Sequence, residues 1–191
     1  GRHRARPRPQ ARLLMTRSAV PDPAPRVVSL LPGATEILAA LGVEPVGVSH
    51  GCDYPPGVTG LPCVTRSRID TAGSAGTVDA AVTAAHGDGG VLEIDRSTLG
   101  ELSPDVVLTQ AVCEVCAVDR VAVDAAIDDL GLGATVCTID VHSLADLESA
   151  IERIGAAVGR ETTAATVART LTARFEALAA ATGAPETGPR V

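Results

Sequence analysis

Apolar residues run along this chain in two alternating rhythms. Short β-branched or aliphatic runs at 26–31, 46–49, 105–109 and 135–139 read as buried strands. Shorter extended pieces fall at 61–65 and 91–94. Helical spacing takes over between them. One helix covers 35–41, after the turn at Pro32-Gly33, and Gly42 ends it. Others cover 78–85, 97–102 and 118–130, the last closed by Gly131 and Gly133. Alternating strands and helices with short links predict an α/β fold: an open parallel sheet with helices on both faces.

The final pattern is longer. Ser143 can cap a helix, and Asp146 three residues on completes an approximate capping box. Leu144, Leu147, Ile151, Ile154 and Val158 recur at helical spacing, and the pattern resumes through Ala164, Ala168, Leu171, Phe175 and Leu178. One continuous helix over 143–183 would span about 58 Å, more than a lobe of this size needs. Gly159 and Thr162-Thr163 are the places where it could kink. Leu171, Phe175 and Leu178 are expected to form an exposed apolar stripe.

Composition narrows the classes. In 191 residues, 46% are hydrophobic, but there is one Phe, one Tyr and no Trp. The core is therefore aliphatic, and aromatic stacking has little material. All 16 basic residues are Arg, and the net charge of −7 argues against nucleic acid as a partner. Six Arg fall within the first 17 residues. Residues 1–25, rich in Arg and Pro, are expected to be a disordered tail. Leu13-Leu14-Met15 is too short for the apolar region of a signal peptide, and no run suits membrane insertion. Taken as written, the chain reads as cytoplasmic. No nucleophile elbow, phosphate loop or HExxH motif is present, so no catalytic residues are assigned and an enzyme is not expected.

Two strand exits carry the candidate chemistry. The strand at 46–49 delivers His50-Gly51-Cys52-Asp53-Tyr54, and the strand at 105–109 delivers Gln110 and the pair Cys113, Cys116. Open parallel sheets bind ligands outside the carboxyl ends of their strands. His50, Cys52, Cys113 and Cys116 could supply four donors to zinc or cobalt, with Asp53, Glu114 and Gln110 behind them. His50 alone could ligate cobalt. A thioredoxin-like use of Cys113 and Cys116 is the redox variant. The plainer reading is that the cysteines pack as small hydrophobes, as Cys63 and Cys137 are expected to do. Pro32-Gly33-Ala34-Thr35 opens a helix, whose free N–H groups could receive an anionic group.

Arg26-Val27-Val28-Ser29-Leu30-Leu31-Pro32-Gly33-Ala34-Thr35-Glu36, Pro45-Val46-Gly47-Val48-Ser49, Asp53-Tyr54-Pro55-Pro56 and Leu102-Ser103-Pro104-Asp105-Val106-Val107 together resemble a known family. It comprises the vitamin B12 and iron-siderophore substrate-binding proteins of ABC importers. The Ser-His-x-Cys-Asp-Tyr-Pro-Pro and Cys-x-x-Cys-Ala versions resemble the subgroup called cobalamin-binding protein. The resemblance covers roughly 26–181 and implies two lobes joined by a long helix, with the ligand between them. Residues 26–142 would then be the N-terminal ligand-binding lobe, 143–183 the bridging helix, and 184–191 the start of a missing second lobe. It implies an extracytoplasmic protein that serves an ABC permease and takes a corrinoid or related metal chelate as ligand, with no required cofactor. The ligand site would draw on Pro32, Gly33, Ala34, Thr35, His50, Gly51, Cys52, Asp53, Tyr54, Arg66 and Gln110. Gly51 and Arg66 stand where the best-known members hold the corrin with aromatic residues. The alternative is a metal- or redox-binding domain built on His50, Cys52, Cys113 and Cys116, with no transporter.

Overall fold

The structure, a computed structural model, describes residues 24–86, 90–110, 118 and 120–182. Its centre is a four-stranded sheet made from the most continuous aliphatic runs. These are β1 (Val27–Ser29), β2 (Gly47–Val48), β5 (Val106–Gln110) and β6 (Thr135–Ile139). The order is β2-β1-β5-β6 and every pairing is parallel. Helix α1 (Pro32–Ala40) joins β1 to β2, and α4 (Arg120–Asp129) precedes β6.

Successive residues of a strand face opposite sides, so each strand feeds two cores. Val27, Val106 and Leu108 pack with Leu38 of α1 and Ile151 and Ile154 of the C-terminal region. Val28, Leu30 and Val107 pack on the other face with Leu99, Val123 and Ile127. Full burial of each such side chain contributes about 1.5–3 kcal/mol. Two-sided burial explains why β1 and β5 carry no polar alternation.

The chain between β2 and β5 makes an excursion at the sheet edge. A 3₁₀ turn (Pro56–Gly60) is followed by β3 (Thr65–Ser67), α2 (Ala75–His86), β4 (Leu92–Ile94) and α3 (Arg96–Leu102). Beside the parallel sheet, β3 and β4 form a separate antiparallel pair, with Arg66 opposite Glu93. Cys63 bridges to Val48 in parallel, through Val48 N–H to Pro62 C=O and Val64 N–H to Val48 C=O. The pair is therefore attached to the exposed edge of β2. Asp95 caps α3, its carboxylate accepting the Thr98 N–H at 3.0 Å.

The C-terminal region departs from expectation. Ser143 does cap a helix, and its hydroxyl donates to the Asp146 carboxylate at 2.8 Å. That helix, α5 (Leu144–Ala157), stops at Gly159, whose φ of +67° suits glycine. The chain then reverses into α6 (Glu161–Thr182), 22 residues long. A long C-terminal helix is present, but it starts at Glu161 rather than Ser143. The single 143–183 helix is replaced by an antiparallel hairpin. Thr172 reaches Glu148 across it at 3.2 Å, and Gly155 lies against Ala164. The seam is made of small residues: Gly155, Ala150, Ala164 and Ala168 are all buried. Leu171 and Phe175 are half-buried, while Leu178 is 61% exposed. The expected apolar stripe is therefore only partly open. Residues 1–23 and 183–191 of the expected tail and second-lobe start lie outside the described residues; Ala24 and Pro25 are described.

A Cβ at Gly155 would sit 2.2 Å from the Ala164 Cβ. Gly155→Ala should lower stability by about 1–3 kcal/mol, read by urea unfolding. Adding Ala164→Gly should recover most of the loss. An unaltered midpoint for Gly155→Ala alone would show that the seam is not close-packed.

Candidate functional site

From β1 the chain moves outward to β2, and from β5 it moves the other way to β6. The reversal lies between the carboxyl ends of β1 and β5. Ligands of open α/β sheets bind at such a reversal. Three segments surround it: Leu31 to Thr35 leaving β1, Ser49 to Tyr54 leaving β2, and Gln110 at the end of β5.

A buried network of hydroxyls and one thiol holds the first two segments together. Thr35 Oγ1 lies 2.9 Å from Ser29 Oγ, 3.2 Å from the Leu31 carbonyl oxygen and 3.1 Å from Cys52 Sγ. Ser49 Oγ lies 3.2 Å from the same sulfur. The Ser29 hydroxyl donates to the Leu31 carbonyl at 3.1 Å. Thr35 is fully buried, as is Ser29, and each depends on these partners because water cannot reach it. Pro32 is also in reach of the second segment, since a Cβ on Gly51 would lie 3.6 Å from its ring.

His50 follows at the same strand exit, outside that buried network. Its backbone N–H donates to Thr65 Oγ1 at 3.0 Å, and its ring Nδ1 lies 2.9 Å from the same oxygen. The ring is exposed. Asp53 is exposed too, and Tyr54 is 59% exposed. Arg66 is engaged by the cross-strand Glu93 at 2.6 Å. A cleft of about 740 Å³ runs from Gly33, Ala34 and Gln110 along α1 and α6, where Ile37, Leu171 and Arg174 line it. Its wall is mostly aliphatic.

The sequence-derived residues therefore divide. Gly33, Ala34 and Gln110 face the cleft. Pro32, Thr35, Gly51 and Cys52 build the adjoining rim, with Thr35 and Cys52 buried inside it. Cys113 and Cys116 lie outside the described residues, as does Glu114. Among the described residues, no group of three or more His, Cys, Asp or Glu is placed to hold a metal ion. Cys52 and His50 have separate partners, Thr35 and Ser49 for the thiol and Thr65 for the ring. Cys63, expected in the core, is exposed, whereas Cys137 is buried.

Sequence reasoning missed Thr65, Ser49 and the cleft wall of Ile37, Leu171 and Arg174. Thr65 and Ser49 close apolar runs, where their side chains read only as strand ends. The apolar wall residues recur at core spacing, and nothing in periodicity separates a cleft-facing Leu from a buried one.

Thiol accessibility should follow this arrangement. Burial pushes the Cys137 thiol up against the opposing pull of Arg153, which leaves less reactive thiolate. Maleimide labelling with peptide mapping should modify Cys63 in the native chain, and Cys52 and Cys137 only on unfolding. Labelling of Cys52 as fast as Cys63 would contradict the Thr35–Cys52–Ser49 network.

No family model and no curated protein matches the chain. Solved structures do. Periplasmic heme-binding protein BhuT, in complex with two hemes, is similar with a TM-score of 0.61 at 22% identity, over 83% of this chain and 50% of its own. Periplasmic heme-binding protein RhuT from Roseiflexus sp. RS-1 gives 0.57 at 23%, over 81% and 49%. A possible iron-binding periplasmic solute-binding protein from Staphylococcus epidermidis gives 0.59 at 20%, over 86% and 54%. The chain spans about half the length of these structures. Its parallel sheet, two helical layers and long C-terminal helix have the fold of one lobe of a solute-binding protein.

Proposed function

We propose that this chain is the ligand-gripping lobe of the substrate-binding component of an ABC importer, with a corrinoid such as cobalamin or a related metal chelate as its ligand. The observation that carries the reading is the rim at the β1/β5 reversal, continuous with an aliphatic cleft of about 740 Å³. That volume is in the range of small-molecule sites, about 300–1,000 Å³. The similar proteins are binding proteins by their descriptions, two of them for heme and one for iron. A large, mostly apolar macrocycle with polar edges suits an aliphatic wall that carries Glu36, Gln110 and Arg174. A binding role, an extracytoplasmic location and an ABC permease partner follow from the same reading. No helix among the described residues is long and apolar enough to cross a membrane. The metal or redox alternative is weakened by Cys52, whose sulfur is already engaged inside the lobe.

A steric block tests the reading. A Cβ at Gly33 would meet nothing within 4 Å, and the same holds at Gly133, at the other end of the sheet before β6. Both therefore have open space for a side chain to leave the backbone, and thermal unfolding of each Trp variant checks that the fold is kept. Absorbance titration with hemin and with aquacobalamin should show saturable binding of at least one. Gly33→Trp should weaken it at least tenfold, about 1.4 kcal/mol, and Gly133→Trp should not. Absence of binding to both chelates, or equal binding by both variants, would overturn the reading.

A further inference from the structure

Thr65 carries the unusual duty of holding one histidine twice. It sits in β3 with 3% exposure, and its Oγ1 meets both the backbone N–H and the ring Nδ1 of His50. The backbone contact has only one sense: the amide donates and the hydroxyl oxygen accepts. The hydroxyl still has its own proton to place. Nδ1 of His50, 2.9 Å away, is the acceptor it has among the described residues. In the opposite arrangement Nδ1–H would donate, Oγ1 would accept twice, and a buried hydroxyl proton would be left with no acceptor.

A ring whose Nδ1 accepts must, when neutral, carry its proton on Nε2. Among the described residues Nε2 has no hydrogen-bond partner, and the ring is exposed at the exit of β2. A metal ligand has the reverse requirement, since the coordinating nitrogen must be bare and its second nitrogen usually donates to a carbonyl or carboxylate. Thr65 supplies no such acceptor while its own proton points at the ring.

We infer that Thr65 locks His50 in the Nε2–H tautomer, so that His50 meets the ligand as a hydrogen-bond donor to a carboxylate or carbonyl oxygen on its edge rather than as a ligand to its metal. This rests on the proposed ligand site at the strand ends and deepens it. Thr65 is a positioning residue, acting through His50. The ligand class it selects is a chelate with acceptor oxygens on its periphery, whatever the state of its axial positions.

The tautomer is read without any ligand. In the full chain with ¹⁵N-labelled histidine, with His50→Gln to assign the signals, neutral His50 should show a protonated Nε2 and an unprotonated Nδ1. Thr65→Val should convert this to a mixture, and Thr65→Ser should restore it. A protonated Nδ1 in the native chain, or no change in Thr65→Val, would overturn the lock. The ligand role is read by pairs of probes: hemin against metal-free protoporphyrin IX, and aquacobalamin against cyanocobalamin, whose upper axial position is closed. For the pair that binds, His50→Ala should weaken both members by the same factor, about tenfold. Loss confined to hemin or to aquacobalamin, with a spectral change that marks imidazole on the metal, would overturn the donor role. If the native chain takes up none of the four probes, the proposed function and the ligand role of His50 fail together, while the ¹⁵N spectrum still decides the tautomer.

Discussion

Pairing of β1 with β5 is the constraint on which the rest depends. Their residues lie about 80 positions apart in the chain, yet Val27, Val28 and Ser29 stand opposite Val106, Val107 and Leu108. Leu30 continues the ladder to the Leu108 carbonyl at 2.9 Å. This register sorts the side chains of both strands into two cores at once, because a slip of one residue would exchange the faces. It also brings the exits of β1 and β5 side by side, and so creates the reversal that the rim surrounds. Closing so long a loop costs entropy early in folding. Aliphatic burial on both faces of the same short strands offsets it.

The rim is held together by buried polar atoms. Thr35 takes part in three contacts although it occupies the first turn of a helix, where a hydrophobic residue would pack as well. What it adds is direction. A buried hydroxyl accepts few arrangements of its neighbours, so it fixes α1 relative to the β2 exit more tightly than apolar contact would. Cys52 belongs to that scheme: it is small enough to be buried and soft enough to sit between two hydroxyls.

Much of the fold could be read from residue patterns. Each of the four central strands lies where its β-branched run does, and the signal is strongest in β1 and β5, where burial on both faces keeps the run almost wholly apolar. Ser143 and Asp146 mark the start of α5 because capping is local chemistry. The antiparallel pairing of β3 with β4 was hidden, since Arg66 and Glu93 on exposed strands carry no sign of which edge they will find. The hairpin at Gly159 was hidden for a different reason. Helical spacing resumes soon after it, shifted by about 120° around the axis, and the missing side chains at Gly155 and Gly159 are the local sign that two helices are folded together. In the site, Pro32, Gly33 and Gln110 were marked by their place at strand exits. Thr65 was not, since its importance comes from a contact with His50, 15 positions earlier.

The hairpin also makes the second helix a lever. α6 is tied to the lobe from Ala164 to Thr172, while its last turns are mostly exposed. From Thr172 to Thr182 the helix extends about 15 Å at 1.5 Å per residue. A tilt of about 5° at the fulcrum would displace the far end by roughly 1.3 Å over that length. The interhelical distance set by one missing methyl group at Gly155 is thereby carried along the arm. The direction in which the end of α6 points is thus a property of the seam it shares with α5.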